Sequence, residues 1–274
     1  MKETQYSRRS VLAAGGAAML AACGGAGSSA PKTETVTLRV YAAASLTETL
    51  TEIGARYMTA NKSVTVQFSF DSSGTLLRQI REAGEGDADL FISAAPKQMD
   101  ALEEAGVDLL VPGSRVDLLE NKVVLCVPDA GAPGAVKSFE ELAQRLQGAE
   151  PFVLAMGNSD VPVGQYTEKI LTWFGLEEEV LAKAGHLSYG SNVKEVVAQV
   201  KEGSVDGGVV YATDACSAGL TAVAEAAAEM CGRVVYPAAV LKLSRHPEAA
   251  QAFLDSLRTK EAAAVFESVG FTVL

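Results

Sequence analysis

Apolar residues along this chain alternate between short dense runs and longer stretches in which they recur every third or fourth position. The short runs, at 36–42, 64–70, 90–93, 122–127, 152–156, 208–211 and 234–241, predict β-strands. The longer ones, at 46–58, 76–83, 99–105, 139–146, 166–174 and 193–201, carry the helical period, and 246–269 reads as two helices broken near Thr259. Strand and helix alternate almost throughout, which is the pattern of parallel sheets covered by helices, so the expected class is α/β. No internal repeat is found.

Ahead of the first strand the pattern changes. Lys2, Arg8 and Arg9 precede an apolar stretch at 11–22 that ends in Leu20-Ala21-Ala22-Cys23. This order of parts resembles a bacterial lipoprotein signal, and Ser7-Arg8-Arg9-Ser10-Val11-Leu12 is similar to a twin-arginine export signal. The resemblance implies that residues 1–22 are a removed signal peptide and that Cys23 takes the lipid, holding the protein at the outer face of the cytoplasmic membrane. A retained transmembrane anchor fits less well, because the apolar stretch is shorter than the ~20 residues needed to span a bilayer. From Cys23 to Thr35 the chain is rich in Gly, Ser, Ala and Thr, the composition of a flexible tether over 23–35. Nothing after the signal is long and apolar enough to cross a membrane.

The 274-residue chain has a formal charge of −11, which becomes −13 once Lys2, Arg8, Arg9 and Glu3 leave with the signal. Such an acidic body repels nucleic acid and anionic headgroups, so neither is an expected partner. Of the four cysteines, Cys126 lies within an apolar run and reads as a buried inert thiol. Cys216 and Cys231 are either free or joined in a disulfide closing a loop of ~15 residues, worth ~3 kcal/mol, and the sequence leaves both open. No cysteine spacing matches a zinc site, and no cofactor is implied.

The candidate chemistry lies where strands hand over to helices. Ser45 and Glu48 have the spacing of a capping box after Tyr41-Ala42-Ala43-Ala44. Asp71-Ser72-Ser73-Gly74-Thr75 leads into a second helix, Pro162 stands near the first turn of a third, and Asn192 with Glu195 caps a fourth. Each start presents unpaired N–H groups and the positive end of a helix dipole, so several converging on one crevice would bind a small anion without a cationic side chain. Taken singly, each cap is more readily explained by helix stability alone.

The blocks Tyr41-Ala42-Ala43-Ala44-Ser45-Leu46, Ser72-Ser73-Gly74-Thr75-Leu76, Ala88-Asp89-Leu90-Phe91-Ile92-Ser93-Ala94, Val161-Pro162-Val163-Gly164-Gln165-Tyr166, Gly208-Val209-Val210-Tyr211-Ala212-Thr213-Asp214-Ala215 and Val235-Tyr236-Pro237-Ala238-Ala239-Val240 occur in this order. Together they resemble the molybdate-binding proteins of ABC importers, over essentially all of the chain from Val36 onward. The resemblance implies a two-lobed periplasmic-binding-protein fold of type II. Each lobe would be a mixed, mainly parallel sheet flanked by helices, with the ligand in the cleft between them. It implies that molybdate, and tungstate with it, is held by Ser45 and Ser73 through hydroxyl and backbone N–H, by the backbone N–H of Val163 and of Val193, and by the Tyr211 phenol. The family often has alanine where this chain has Val163, a change that keeps the main-chain donor. It also implies a membrane permease as partner and a monomer in solution.

A fully ionised tetrahedral dianion offers only acceptors, so a shell of donors suits it and carboxylates do not; Asp71 and Asp160 are expected to face away or to act as caps. Selection against sulfate would rest on cavity size. A sulfate or other oxyanion binder is the serious competitor. A serine hydrolase is disfavoured, because neither His186 nor His246 sits in a triad context and no Gly-x-Ser-x-Gly elbow exists. Tyr211 with Tyr166 or Tyr189 lacks the companions of an iron site, and the Glu82, Glu85, Asp87, Asp89 run lacks EF-hand spacing. The expected lobes are 36–119 with 236–274, and 120–235, closing by a hinge around the anion.

Overall fold

The computed structural model describes residues 35–274; the signal, Cys23 and the tether as far as residue 34 lie outside the described residues. The chain opens with β1 (Val36–Ala43), a 3-10 turn at Ala44–Leu46, α1 (Thr47–Ala60), β2 (Val64–Asp71), α2 (Ser73–Glu82), β3 (Leu90–Ile92), α3 (Pro96–Glu103) and β4 (Val116–Asn121). There follow β5 (Val123–Cys126), α4 (Phe139–Gln147), β6 (Leu154–Gly157), α5 (Pro162–Trp173), α6 (Glu178–Ala184), β7 (Leu187–Gly190), α7 (Val193–Lys201), β8 (Gly207–Tyr211), α8 (Ala212–Ala218), β9 (Ala222–Glu225) and α9 (Ala228–Cys231). The chain ends with β10 (Val234–Val240), α10 (Pro247–Ser256), α11 (Lys260–Ser268) and β11 (Thr272–Val273).

The strands form two sheets. One has the order β11-β4-β10-β3-β1-β2 and the other β7-β6-β8-β5-β9. The chain leaves the first sheet after Asn121 and returns with Val234, so both crossovers lie side by side in the β4–β10 pair, where Val234 faces Asn121. The expected lobe limits stood at 119 and 236. Inner strands are buried along their whole length, as β3, β5, β6 and β8 show, whereas the edge strand β2 exposes alternate residues. Both sheets are mixed, but they are not mainly parallel. Parallel pairing is confined to β2-β1-β3 and to β7-β6-β8, while β10, β4, β11, β5 and β9 pair antiparallel.

Seven elements escape the apolar periodicity: β4, β7, β9, β11, α6, α8 and α9. The three helices are short and β7, β9 and β11 are sheet edges, while in β4 and β9 charged residues such as Asp117, Glu120 and Glu225 interrupt the run. A different discrepancy concerns helix starts. Helix α2 begins at Ser73 rather than 76, α3 at Pro96 rather than 99, and α5 at Pro162 rather than 166. Their first turns hold few large apolar side chains: Ser73, Gly74 and Thr75 in α2, Pro96, Lys97 and Gln98 in α3, and Pro162, Val163 and Gly164 in α5.

Candidate functional site

Every wall of one small cavity comes from where a strand of the parallel part of a sheet ends in a turn or helix start. Ala43, Ala44 and Ser45 follow β1, Asp71, Ser72 and Ser73 follow β2, and Ala94 follows β3. From the second sheet come Val161 and Pro162 after β6, Val193 after β7 and Tyr211 at the end of β8. This is the crevice at the carboxyl ends of strands where open α/β sheets place ligands.

Four of the five residues read from the sequence, Ser45, Ser73, Val193 and Tyr211, meet on this cavity. Val163 does not line it. Its side chain is buried, and it is the second residue of α5, so its amide is one of the free N–H groups at the helix start. Ser73 and Val193 are the first residues of α2 and α7. Amides at these positions lie beyond the reach of the helix's own i→i−4 bonds, and those of Ser73, Val163 and Val193 meet no backbone acceptor among the described residues.

The expected capping box at Ser45 does not form. Ser45 sits inside the 3-10 turn, no side chain caps α1, and the Ser45 Oγ lies 3.0 Å from the Tyr236 hydroxyl instead. Glu48 reaches out to Lys194 of α7, at 2.8 and 2.9 Å. The turn spends Ser45 on the cavity wall because it places a 3-10 geometry, rather than an α-helical first turn, between β1 and α1. The other caps hold: Ser72 Oγ accepts the Thr75 N–H at 3.1 Å, and Asn192 Oδ1 accepts those of Lys194 and Glu195 at 3.0 and 3.2 Å. Glu195 completes that start by accepting the Ser191 N–H at 2.7 Å.

Ser72 spends its hydroxyl hydrogen on Thr75 Oγ1, at 2.9 Å, whereas two other hydroxyls of the wall keep theirs. Ser73 is fully buried, and its Oγ accepts the Ala94 N–H at 3.0 Å, which leaves its own hydrogen for another acceptor. Tyr211 is 1% exposed, and its hydroxyl has no hydrogen-bond partner among the described residues. A buried unpaired hydroxyl is costly, and this one stands on the cavity wall. Burial, and then the neighbouring Tyr236, holds the Tyr211 phenol well above its ordinary pKa, so its proton stays on.

Carboxylates near the cavity are restrained. Asp160 faces Arg78, with Nη1 to Oδ2 at 2.6 Å, and so points away as expected. Asp71 contributes to the wall, with Oδ1 taking the Ser72 N–H at 2.7 Å. Asp214, one turn beyond Tyr211, is fully buried, which its place in the block 208–215 does not indicate. Burial raises its pKa to about 6 against the attraction of Lys194, whose Nζ stands 2.9 Å from Oδ1. The distance is that of an ion pair. Lys194 thus lies between Asp214 and Glu48 and is not part of the wall, which contains no Lys or Arg among the described residues. Cys216 and Cys231 are free thiols, and burial pushes the Cys126 thiol up to about 12.

Two α/β halves closing on a buried crevice at their strand ends define a solute-binding protein. Residues 38–272 match the family of bacterial extracellular solute-binding proteins, and the chain belongs to it. It is 37% identical over 256 residues, 93% of either chain, to YvgL of Bacillus subtilis, a protein named provisionally as an ABC transporter substrate-binding lipoprotein. It is 34% identical over 241 residues to the molybdate-binding protein ModA of Escherichia coli, covering 86% of this chain and 89% of that one. The periplasmic molybdate-binding protein of Azotobacter vinelandii shares the fold with a TM-score of 0.72 at 22% identity, over 86% of this chain and 99% of that one.

Proposed function

We propose that this protein is the exported, lipid-anchored substrate-binding component of an ABC importer and that it captures molybdate, with tungstate as a second ligand. The observation that carries the reading is the convergence of Ser45, Ser73 and Tyr211 with the helix-start amide of Val193 on one cavity. The amide of Val163, one residue behind the wall, completes the shell. Such a shell consists of donors, which a dianion with acceptor oxygens alone requires. Hydrogen bonds to a charged group contribute roughly 1.5–3 kcal/mol each, so five or more in a cleft closed to water support tight capture without a formal positive charge.

The ModA relatives support molybdate over other oxyanions, and the YvgL likeness supports both the importer and the lipid at Cys23. The reading makes the protein a monomeric carrier rather than an enzyme. In it, the anion bridges the two halves and favours their closure, and the closed form is presented to the permease. Calorimetric titration of the mature chain with molybdate, tungstate and sulfate in turn tests the assignment. Saturable heat with the first two and none with sulfate supports it; heat with sulfate and none with molybdate makes the protein a binder of the smaller oxyanion.

A further inference from the structure

We propose that Tyr236 and Asn121, one on each crossover between the sheets, are positioning residues that make the Ser45 hydroxyl an obligate donor toward the cavity. The inference rests on the molybdate reading and extends it to two residues that do not line the wall. Its starting point is the Asn121 amide, which is buried at the end of β4. Its Oδ1 accepts the backbone N–H of Lys122 at 2.8 Å, and this fixes which end of the amide is which. Nδ2 therefore faces the other way, where it lies 2.9 Å from Thr213 Oγ1 and 3.2 Å from the Tyr236 hydroxyl.

An amide nitrogen has hydrogens to give and no lone pair to offer. The Tyr236 oxygen consequently accepts from Asn121, and its single hydrogen is left for the other neighbour, Ser45 Oγ at 3.0 Å. Ser45 in turn accepts from Tyr236, so its own hydrogen points elsewhere, and the cavity is the surface that Ser45 lines. Tyr236 is completely buried, and burial holds its phenol well above the ordinary pKa, so the chain of donors is not broken by ionisation. Ser73 reaches the same state by a different route, since its acceptor site is filled by the Ala94 backbone, which no side-chain substitution removes. The polarity of Ser45 alone depends on two side chains, and both stand where the chain passes between the sheets.

Molybdate titrations of single and double variants test this, with thermal unfolding recorded for each. Tyr236→Phe is expected to lower molybdate affinity by about tenfold, the scale of one hydrogen bond. Ser45→Ala is expected to cost markedly less in the Tyr236→Phe background than alone, whereas Ser73→Ala costs the same in both, a pattern that general loosening of the core does not produce. Asn121→Asp replaces the donor by an acceptor of the same shape, so Tyr236 donates to it and Ser45 must donate back to Tyr236. Affinity then falls, and adding Ser45→Ala brings no further loss. This arm decides the matter if Tyr236→Phe fails to fold. Additive costs in both cycles overturn the inference and leave the molybdate site standing; a neutral Ser45→Ala overturns the site and the inference together.

Discussion

Gly74 donates its backbone N–H across the cleft to the carbonyl oxygen of Asp160, 3.0 Å away, and a β-carbon built on Gly74 would stand 2.3 Å from that same oxygen. Gly74 belongs to α2 beside the first sheet and Asp160 to the turn before α5 beside the second. The two halves touch here backbone to backbone, and the Arg78–Asp160 and Lys194–Glu48 ion pairs bridge the same cleft.

Gly74→Ala should therefore prevent full closure while sparing each half, because its added methyl meets backbone of the opposite half rather than its own core. The expected result is an unchanged melting temperature without ligand, molybdate affinity reduced by at least about tenfold, one lost hydrogen bond or more, and a larger radius of gyration with saturating molybdate in X-ray scattering. Unchanged scattering and affinity would show that the close approach does not limit closure.

Removing a hydroxyl from the wall has a defined scale. Ser73→Ala and Tyr211→Phe each delete one charge-assisted hydrogen bond, so each is expected to weaken molybdate binding by roughly 10- to 100-fold. Tyr211→Phe carries a second signature, since it removes a buried hydroxyl that has no partner within the chain. The ligand-free protein is expected to be as stable as the parent or more stable in thermal unfolding, while binding falls.

Asp214 gives binding a pH dependence. Its pKa in the folded protein, about 6, lies above the ordinary 3.8, so the folded state holds the extra proton between these values. Its contribution to stability is full below about 3.8 and is lost as pH rises through about 6, a cost on the order of 3 kcal/mol from two pKa units. A dianion arriving beside Tyr211 adds repulsion and raises that pKa further, so binding takes up protons. Molybdate affinity is expected to rise from pH 8 to pH 6 and to be flat over that range in Asp214→Asn. Equal slopes in the two proteins would remove Asp214 from the linkage.

Thiol reactivity checks burial independently. With Cys23 replaced by serine, a thiol reagent is expected to titrate one group rapidly, Cys216, because Cys126 and Cys231 are buried and Cys216 is exposed. Burial also holds the pKa values of Cys126 and Cys231 above the ordinary range, which keeps them protonated at neutral pH. All three react once the protein is unfolded in denaturant.

The short dense apolar runs located β1, β2, β3, β5, β6, β8 and β10 to within two residues of their observed ends; β3, β5, β6 and β8 are apolar throughout because they are buried on both faces. The same rule hid β4 and β9, in which Asp117, Glu120 and Glu225 interrupt the apolar run, and it placed the starts of α2, α3 and α5 too late. In α2 and α5 the late first turn opens on the cavity and holds Ser73, Gly74, Pro162 and Gly164, which a pattern of core contacts does not register; in α3 it holds the polar Lys97 and Gln98.

Local sequence thus determined the α/β class, the acidic charge and which helix mouths carry hydroxyls, since each follows from residues within a few positions of one another. Only the tertiary structure decided that Ser45 faces Tyr236, 191 residues away, rather than capping α1, and that Lys194 lies between Glu48 and Asp214. Hydrogen bonds and ion pairs are made across distances of about 3 Å in space, and those distances are set by the crossing of two sheets at Asn121 and Val234, which no local pattern contains.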